Sequence, residues 1–438
     1  MPNPILPLWE YIPDGEPRVF GDRVYIYGSH DRANSCEFCD FKLKVWSAPL
    51  NNLGNWECNG DSFHTRDDRD HKSNTDWTDR ELYAPDVVSK DGKYYLYAYI
   101  LGSKGCVGIS DRPEGPFKLL STYKYSDGNE GDDGIFNDAG VLVDDDGKVY
   151  IYYGYEHSYM NQINPDNMFE IIDGTLQDSV IPDEEPFRFF EASSPRKVNG
   201  LYYIIYSPRV GCRLAYATST SPTGPYEYRG YIVDNGFDYP AGNNHGSICY
   251  INGQWYIFYH RMTNNSIMSR RACVERIDIL PDGTIPLVEM TSLGFEKYLS
   301  PYKIVPAEIA CVLKGNSFIT EKDVLTRTIT AIKHGCIIGY KYFEFGEDFS
   351  SKTMVLYVKT IGMGCKAKIR VLIDNYENGK ELGICEIGAN SGTYQAVIES
   401  ITGKHAIYFI AEHCYSGWFV QAFDDKQLFE LVSFTFMK

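Results

Sequence analysis

The sequence predicts an all-β protein, a five-bladed β-propeller followed by a β-sandwich of jelly-roll type. Two observations carry that expectation. First, a phrase made of a Gly-containing turn and an aromatic-rich strand recurs five times: GDRVYIYGS at 21–29, DGKYYLYAY at 91–99, DGKVYIYYG at 146–154, NGLYYIIYS at 199–207 and NGQWYIFYH at 252–260. The aligned tyrosines, Tyr25, Tyr95, Tyr150, Tyr203 and Tyr256, are 70, 55, 53 and 53 residues apart, a period that fits a unit of several short strands. Second, after about residue 295 the phrase stops, while strand-rich sequence of another rhythm continues to the end. No long apolar pattern of period 3.6 interrupts either part. A sandwich alone would also alternate strands, but it would not give five matched copies.

Each repeat reads as a hairpin. Asp-Gly or Asn-Gly precedes a run of Tyr, Val, Ile and Phe, and a second strand-like stretch lies just upstream: EPRVF, APDVVS, AGVLVD, SPRKV and GSICYI in turn. Stretches such as RLAYATS and GPYEYRGYIV supply outer strands. Counting back from the aligned tyrosines, Asp14, Asp86, Asp138, Glu191 and His245 stand 11, 9, 12, 12 and 11 residues upstream. Equivalent places on the innermost strands of a propeller converge at one end of the channel. Carboxyls gathered there repel one another, which raises the pKa of at least one and suits acid–base chemistry.

Other segments read more plainly. The charged run TRDDRDHKSNTDWTDRE at 65–81 is a solvated insertion in the long first step, placed to rim the pocket. DDDG at 144–147 mimics a calcium loop but sits at a hairpin turn, and GNEGDDG at 128–134 reads as a flexible acidic loop before Asp138. His157 is a pocket residue or a loop histidine, and Cys36-x-x-Cys39 is a lone pair with no second pair to complete a zinc site. A net charge of −17 argues against nucleic acid and anionic membranes as partners. The twelve cysteines form no framework and read as free thiols. The opening MPNPILPLWEYIPDG shows no basic start before an apolar core, and no run approaches 18 apolar residues. The expected location is the cytoplasm, a removed leader aside, with no membrane contact.

These segments resemble glycoside hydrolase family 43, five-bladed propellers that cleave glycosidic bonds with inversion. The motifs run in the family's order: NPILP…IPDGEPRVFGDRVYIYGS, LYAPDVVSKDGKYYLYAY with Tyr83 where a Trp is usual, NDAGVLVDDDGKVYIYYG, FFEASSPRKVNGLYYIIYS, NNHGSICYINGQWYIFYHR and SRRACVERIDILPDG. The resemblance implies Asp14 as general base, Glu191 as general acid and an ionised Asp138 that tunes and orients the acid. It implies Arg270, Tyr83, His30 and Asn137 as substrate-binding residues. His245 is implied as a possible water-mediated ligand of a structural Ca²⁺ on the channel axis, with no cofactor required for the chemistry. The chain departs from the family's pattern in Asp14-Gly15 for Asp-Pro and Glu191-Ala192-Ser193 for Glu-Gly-Pro, which bears on sugar specificity. Inversion needs one carboxylic acid and one carboxylate with a water between them, and Asp14 with Glu191 supplies that pair.

The expected domains are residues 1–297, the propeller; 298–304, a linker packing back on it; and 305–438, a sandwich. The last resembles carbohydrate-binding module family 6 through the opening Ala-Glu, IGYKYFEFG, VLIDN…GKELG, GKHAIYFIAE and FELVSFTF, with Tyr394 in place of a usual Trp and Tyr415 and Trp418 in a loop-like stretch. The leading expectation is an inverting exo-glycosidase that releases terminal α-L-arabinofuranosyl or β-D-xylosyl units from hemicellulose-derived oligosaccharides. A non-catalytic carbohydrate-binding propeller and a retaining, fructan-type glycosidase on the same scaffold are the alternatives.

Overall fold

In the computed structural model, which describes residues 1–130, 136–347 and 350–438, strands form seven sheets and the only helical pieces among these residues are two short 3₁₀ turns. The acidic loop expected at 128–134 lies outside the described residues from 131 onward.

Five sheets follow the five repeats. Blade 1 is Glu16–Phe20, Arg23–Tyr27, Lys42–Pro49 and Glu57–His64. Blade 2 is Leu82–Lys90, Lys93–Ile100, Cys106–Ser110 and Lys118–Thr122. Blade 3 is built on Gly140–Val143, Val149–Tyr153 and Tyr159–Ile163. Blade 4 is Phe189–Val198, Leu201–Pro208, Arg213–Ser219 and Glu227–Asp234, and blade 5 is Ser247–Ile251, Gln254–Thr263 and Ser266–Ile277. The recurring turn is the reason for the recurring phrase. Asn199-Gly200 and Asn252-Gly253 both take positive φ at the two central positions, which a two-residue hairpin of right-handed twist requires and which Asn and Gly tolerate best.

The aromatic-rich strands are buried on both sides because each blade is packed between two others. Along Leu201–Pro208, Tyr202, Ile204 and Tyr206 face blade 3, packing with Tyr150, Tyr152 and Met160. The alternate Tyr203 and Ile205 face blade 5, packing with Ile248 and Ile257. That is the two-residue period of a strand used on both faces at once. The same layering joins blades 1 and 2, 2 and 3, and 5 and 1.

Blade 5 has three strands, and the amino terminus completes it. The Ile5 amide donates to the Ala272 carbonyl at 3.0 Å. The fully buried Asn3 accepts from the Val274 amide at 2.9 Å and donates to the Val274 carbonyl at 2.8 Å. Ile5 and Leu6 then enter the apolar layer between blades 5 and 1, so the ring is closed by its first residues.

The remaining two sheets face each other as a sandwich. One contains Phe318–Glu321, Arg327–Ile332, Phe429–Met437, Thr353–Gly362 and Gly392–Glu399; the other Val312–Lys314, Ile337–Glu344, Lys404–His413, Ala367–Ile373 and Glu381–Ile387. Between them lie Ile329, Leu356, Val358, Ile369, Val371, Phe409 and Phe434. The segment 298–304 packs on this sandwich, contrary to the expectation that it would lie back on the propeller. Leu299 bridges Phe343 and joins the sandwich core, and the Tyr302 hydroxyl donates to the Phe345 carbonyl at 2.7 Å. The sandwich nonetheless meets the propeller directly: the Leu313 amide donates to Asp238 O at 2.7 Å, the Asn264 amide to Ile319 O at 2.7 Å and the Ser292 amide to Lys341 O at 2.8 Å.

Candidate active site

Four of the innermost strands begin at, or close to, a residue held in the left-handed region: Asp14 (φ 57°), Ala84 (φ 32°), Asp138 (φ 48°) and Ala192 (φ 68°). Such residues cost on the order of 1–3 kcal/mol each and concentrate where a side chain must be aimed. Register shifts accompany them, between Tyr83 and Asp86 in blade 2 and on both sides of Glu191 in blade 4. Bulges of this kind redirect side chains at the end of a sheet.

The outcome is one pocket of about 550 Å³ at the channel mouth, lined by Asp14, Asn137, Asp138, Glu191, His245 and Arg270 together with the rings of Phe38, Tyr83, Tyr99, Tyr155 and Phe190. Asp14, Asp138, His245 and Arg270 are buried, while Tyr155 is largely exposed, so the charged groups form the floor and the aromatics the walls. Tyr83 meets Tyr99 edge-on at 5.9 Å, and Tyr155 lies 5.0 Å from Phe190.

The two candidate reacting carboxyls are in opposite electrostatic states. Burial alone would raise the pKa of Asp14. The Arg270 charge outweighs it, with the hydrogen bond from the Ser29 hydroxyl adding to its pull, and holds Asp14 below its ordinary value. Arg270 Nη1 donates to both Asp14 oxygens, at 2.9 and 3.1 Å, and Ser29 Oγ donates to Oδ2 at 2.7 Å. Glu191 is pushed the other way: burial and then the Asp14 charge raise it to about 7, against the pull of Arg270. Asp138 is raised well above its ordinary value by burial, then by the charges of Glu191 and Asp14. The expectation of an ionised Asp138 therefore gives way to a pair of crowded carboxyls that titrate as a unit.

Sequence reasoning missed the groups that hold this arrangement. Arg270 Nε and Nη2 donate to the Asp31 carboxylate at 2.9 and 2.8 Å. Its donors are thus committed to two aspartates and it serves mainly to position and charge-balance Asp14, where the resemblance gave it to the sugar. The Asp14 amide donates to His260 Nδ1 at 3.3 Å, while His260 Nε2 faces the Asn243 carbonyl at 3.1 Å. Burial lowers the His260 pKa to about 3, so the ring is neutral. Asp31 sits two residues beyond the first repeat's final Ser29 and His260 ends the fifth repeat, so both were visible in the repeated phrase without a reason to select them.

Two expected residues lie elsewhere. His30 is not in the pocket; it is buried between Asp40 and Glu10, each 3.0 Å from a ring nitrogen. Asp86 lies inside the channel, where Arg18 Nη2 reaches it at 2.6 Å and the Val141 amide donates to it at 2.8 Å, tying blades 1, 2 and 3. His157 is held by Asp183 at 2.6 Å, away from the pocket, and the Asp144 carboxylate of the DDDG turn is taken by Lys197 and Tyr202.

A structural calcium does not fit this channel well. His245 Nδ1 stands 3.8 Å from Asp14 and 3.9 Å from Asp138, and the oxygen donors that a hard cation needs are engaged elsewhere. Glu16 is bound by Arg196 at 2.6 Å and Asp86 by Arg18, which leaves only Glu16 Oε1 buried without a partner. Two guanidinium groups already supply positive charge there.

The model of the family described as glycosyl hydrolases family 43 matches residues 1–285. A xylosidase/arabinosidase of Thermoclostridium stercorarium is 41% identical over 93% of this chain and 95% of its own. A β-xylosidase of Xylanibacter ruminicola is 28% identical over 64% of this chain and 97% of its own. Among solved structures, a β-xylosidase/α-arabinofuranosidase from a compost metagenome, in complex with xylotriose, aligns with TM-score 0.54 and 28% identity over 66% of this chain and 98% of its own. An arabinoxylan arabinofuranohydrolase from Bacillus subtilis aligns over 100% of this chain and 97% of its own, with TM-score 0.56 and 23% identity.

Proposed function

The chain belongs to glycosyl hydrolases family 43, and from that footing we propose how its pocket works. It is an inverting glycoside hydrolase, an exo-glycosidase of the xylosidase/arabinosidase class, and its chemistry needs two carboxyls and a water with no cofactor. The observation that carries the assignment of residues is the opposed state of Asp14 and Glu191 in one cavity. A pair of carboxyls pushed apart in pKa identifies base and acid.

In this reading Glu191, protonated up to about pH 7, gives its proton to the leaving glycosidic oxygen. Asp14, kept ionised by Arg270, draws a proton from the water attacking the anomeric carbon from the other side. The C–O bond to the leaving group breaks as the C–O bond to water forms, and the product carries the opposite anomeric configuration. Asp138 orients Glu191 and shares its proton load. Tyr83, Tyr99, Tyr155 and Phe190 offer faces for a sugar ring, and Asn137 offers an amide.

The substrate proposed is a terminal α-L-arabinofuranosyl or β-D-xylosyl unit of a short hemicellulose oligosaccharide, taken in the cytoplasm. Residues 1–297 act as the catalytic unit and 298–304 as the linker. Residues 305–438 are proposed as a module of the carbohydrate-binding family 6 kind, which the exposed Trp418 and Phe419 beside Tyr415 support. A panel of nitrophenyl glycosides, followed by proton NMR of the first-formed anomer, tests the proposal. Release of xylose or arabinose with inverted configuration supports it. Retention, or no turnover on any pentoside, overturns it.

A further inference from the structure

On the outer edge of blade 1, away from the pocket, four side chains converge that the hydrolytic reading does not use. Asp61 and His64 belong to the strand Glu57–His64, where residues three apart would ordinarily point to opposite faces. Here Lys42 pairs with His64, Leu43 with Phe63 and Lys44 with Asp61, so Ser62 is an extra residue bulged out of the ladder. The bulge removes one step of the alternation and puts Asp61 and His64 on one face.

The chain then turns back over them. Asp68 closes a tight loop by accepting from the amides of Asp70 and His71, at 2.8 and 2.7 Å. His71 stacks on His64 with centroids 4.4 Å apart, and the Asn74 amide returns to His64 O at 2.8 Å. One ligand atom from each of Asp61, His64, Asp68 and His71 lies within 4.8 Å of all the others.

Two features show that the cluster is incomplete as a protein-only arrangement. His64 is only 5% exposed, yet its Nε2 has no hydrogen-bond partner, with Asp61 Oδ2 standing 3.9 Å away. Two carboxylates meet one ammonium, Lys42 Nζ, 2.9 Å from Asp61.

We propose that Asp61, His64, Asp68 and His71 form a binding site for a divalent transition-metal ion of the zinc type, which clips the 65–81 insertion to blade 1. Two imidazoles with two carboxylates are a donor set that Zn²⁺ accepts, whereas Ca²⁺ and Mg²⁺ select oxygen alone. A tetrahedral ion with bonds near 2.1 Å needs ligand atoms about 3.4 Å apart. Closing from within 4.8 Å falls to the side chains of Asp68 and His71, which are 39% and 43% exposed. The insertion runs on into Tyr83 of the pocket wall, so the clip fixes the segment leading there.

Isothermal titration and thermal melting of the full chain with ZnCl₂, alongside CaCl₂ and MgCl₂, test this. One equivalent of Zn²⁺ should bind and raise the melting temperature, and the hard cations should do neither. His71→Ala and Asp68→Asn, both on the exposed hairpin, should each weaken Zn²⁺ binding by roughly tenfold or more with folding and pentoside turnover unchanged. Absence of binding heat, Zn²⁺ affinity unaltered in His71→Ala, or equal binding of Ca²⁺ would each overturn the proposal.

Discussion

At the scale of single residues, the pocket depends on one arginine making two aspartates affordable in a buried place. Arg270 is 3% exposed and bonded to both Asp14 and Asp31; removing either partner would leave a charge buried and unmatched. Asp14→Asn and Glu191→Gln should each lower kcat by about 10²–10⁴-fold with an unchanged circular dichroism spectrum, and near-normal turnover in either variant would remove that residue from the chemistry. The pH profile follows from the signs. Glu191 must carry its proton and is raised to about 7, so kcat/KM should fall as pH rises past about 7. Asp14 must be ionised and its pKa is lowered, so the acid limb should lie below the ordinary aspartate range. Ser29→Ala removes the 2.7 Å hydrogen bond to Asp14 Oδ2 and should shift the acid limb upward while leaving the alkaline limb in place. That Asp14, Asp138 and Glu191 share one pocket was legible because they keep a near-constant offset from a repeated tyrosine. His30 misled because its neighbours Ser29 and Asp31 hold Asp14 and Arg270 in place, while its own ring turns to Asp40 and Glu10.

At the scale of elements, the catalytic geometry rests on how closely innermost strands approach one another. Gly140 opens the innermost strand of blade 3, and a Cβ there would stand 2.1 Å from the Ser193 carbonyl and 2.5 Å from Pro195 Cδ. Those atoms belong to the strand that carries Glu191 two residues earlier. Gly140→Ala should therefore displace the acid and lower kcat by roughly tenfold or more, as a shift near 1 Å does in a preorganised site; pentoside kinetics on a folded variant would read it. The hairpins were legible because Asn-Gly and Asp-Gly turns have strong local chemistry. The bulges were not, since an extra residue such as Ser62, or the irregular pairing around Glu191, leaves no mark in the hydrophobic pattern and shows only against a partner strand.

At the scale of the whole molecule, the sandwich is built into the propeller's flank. Tyr239 of the propeller lies in the sandwich's apolar core, with Met290 and Leu293 packed against it. Asp238 accepts from Lys314 Nζ at 3.2 Å and from the Tyr376 hydroxyl at 2.9 Å. A chain ending at residue 297 should thus expose apolar surface and either precipitate or melt several degrees lower, measured by solubility and calorimetry; an unchanged melting profile would show the seam to be incidental. That the propeller strands stop before residue 300, at Ile277, was legible from the end of the repeat. The seam was not, because the residues that form it are scattered from Leu8, whose carbonyl takes Arg327, to Tyr376. Closure of the ring by Asn3 and Ile5 against blade 5 has a temporal consequence. A chain emerging from the ribosome makes the tongue of this buckle first and its catch some 270 residues later. Until then the leading residues have nothing to fasten to, and joining ends so distant carries an entropic cost that grows only logarithmically with the length spanned. Blades 1 to 4 can therefore stack as an open arc during synthesis, and the channel mouth gains its last wall, His245 and Arg270 included, only when the final blade arrives.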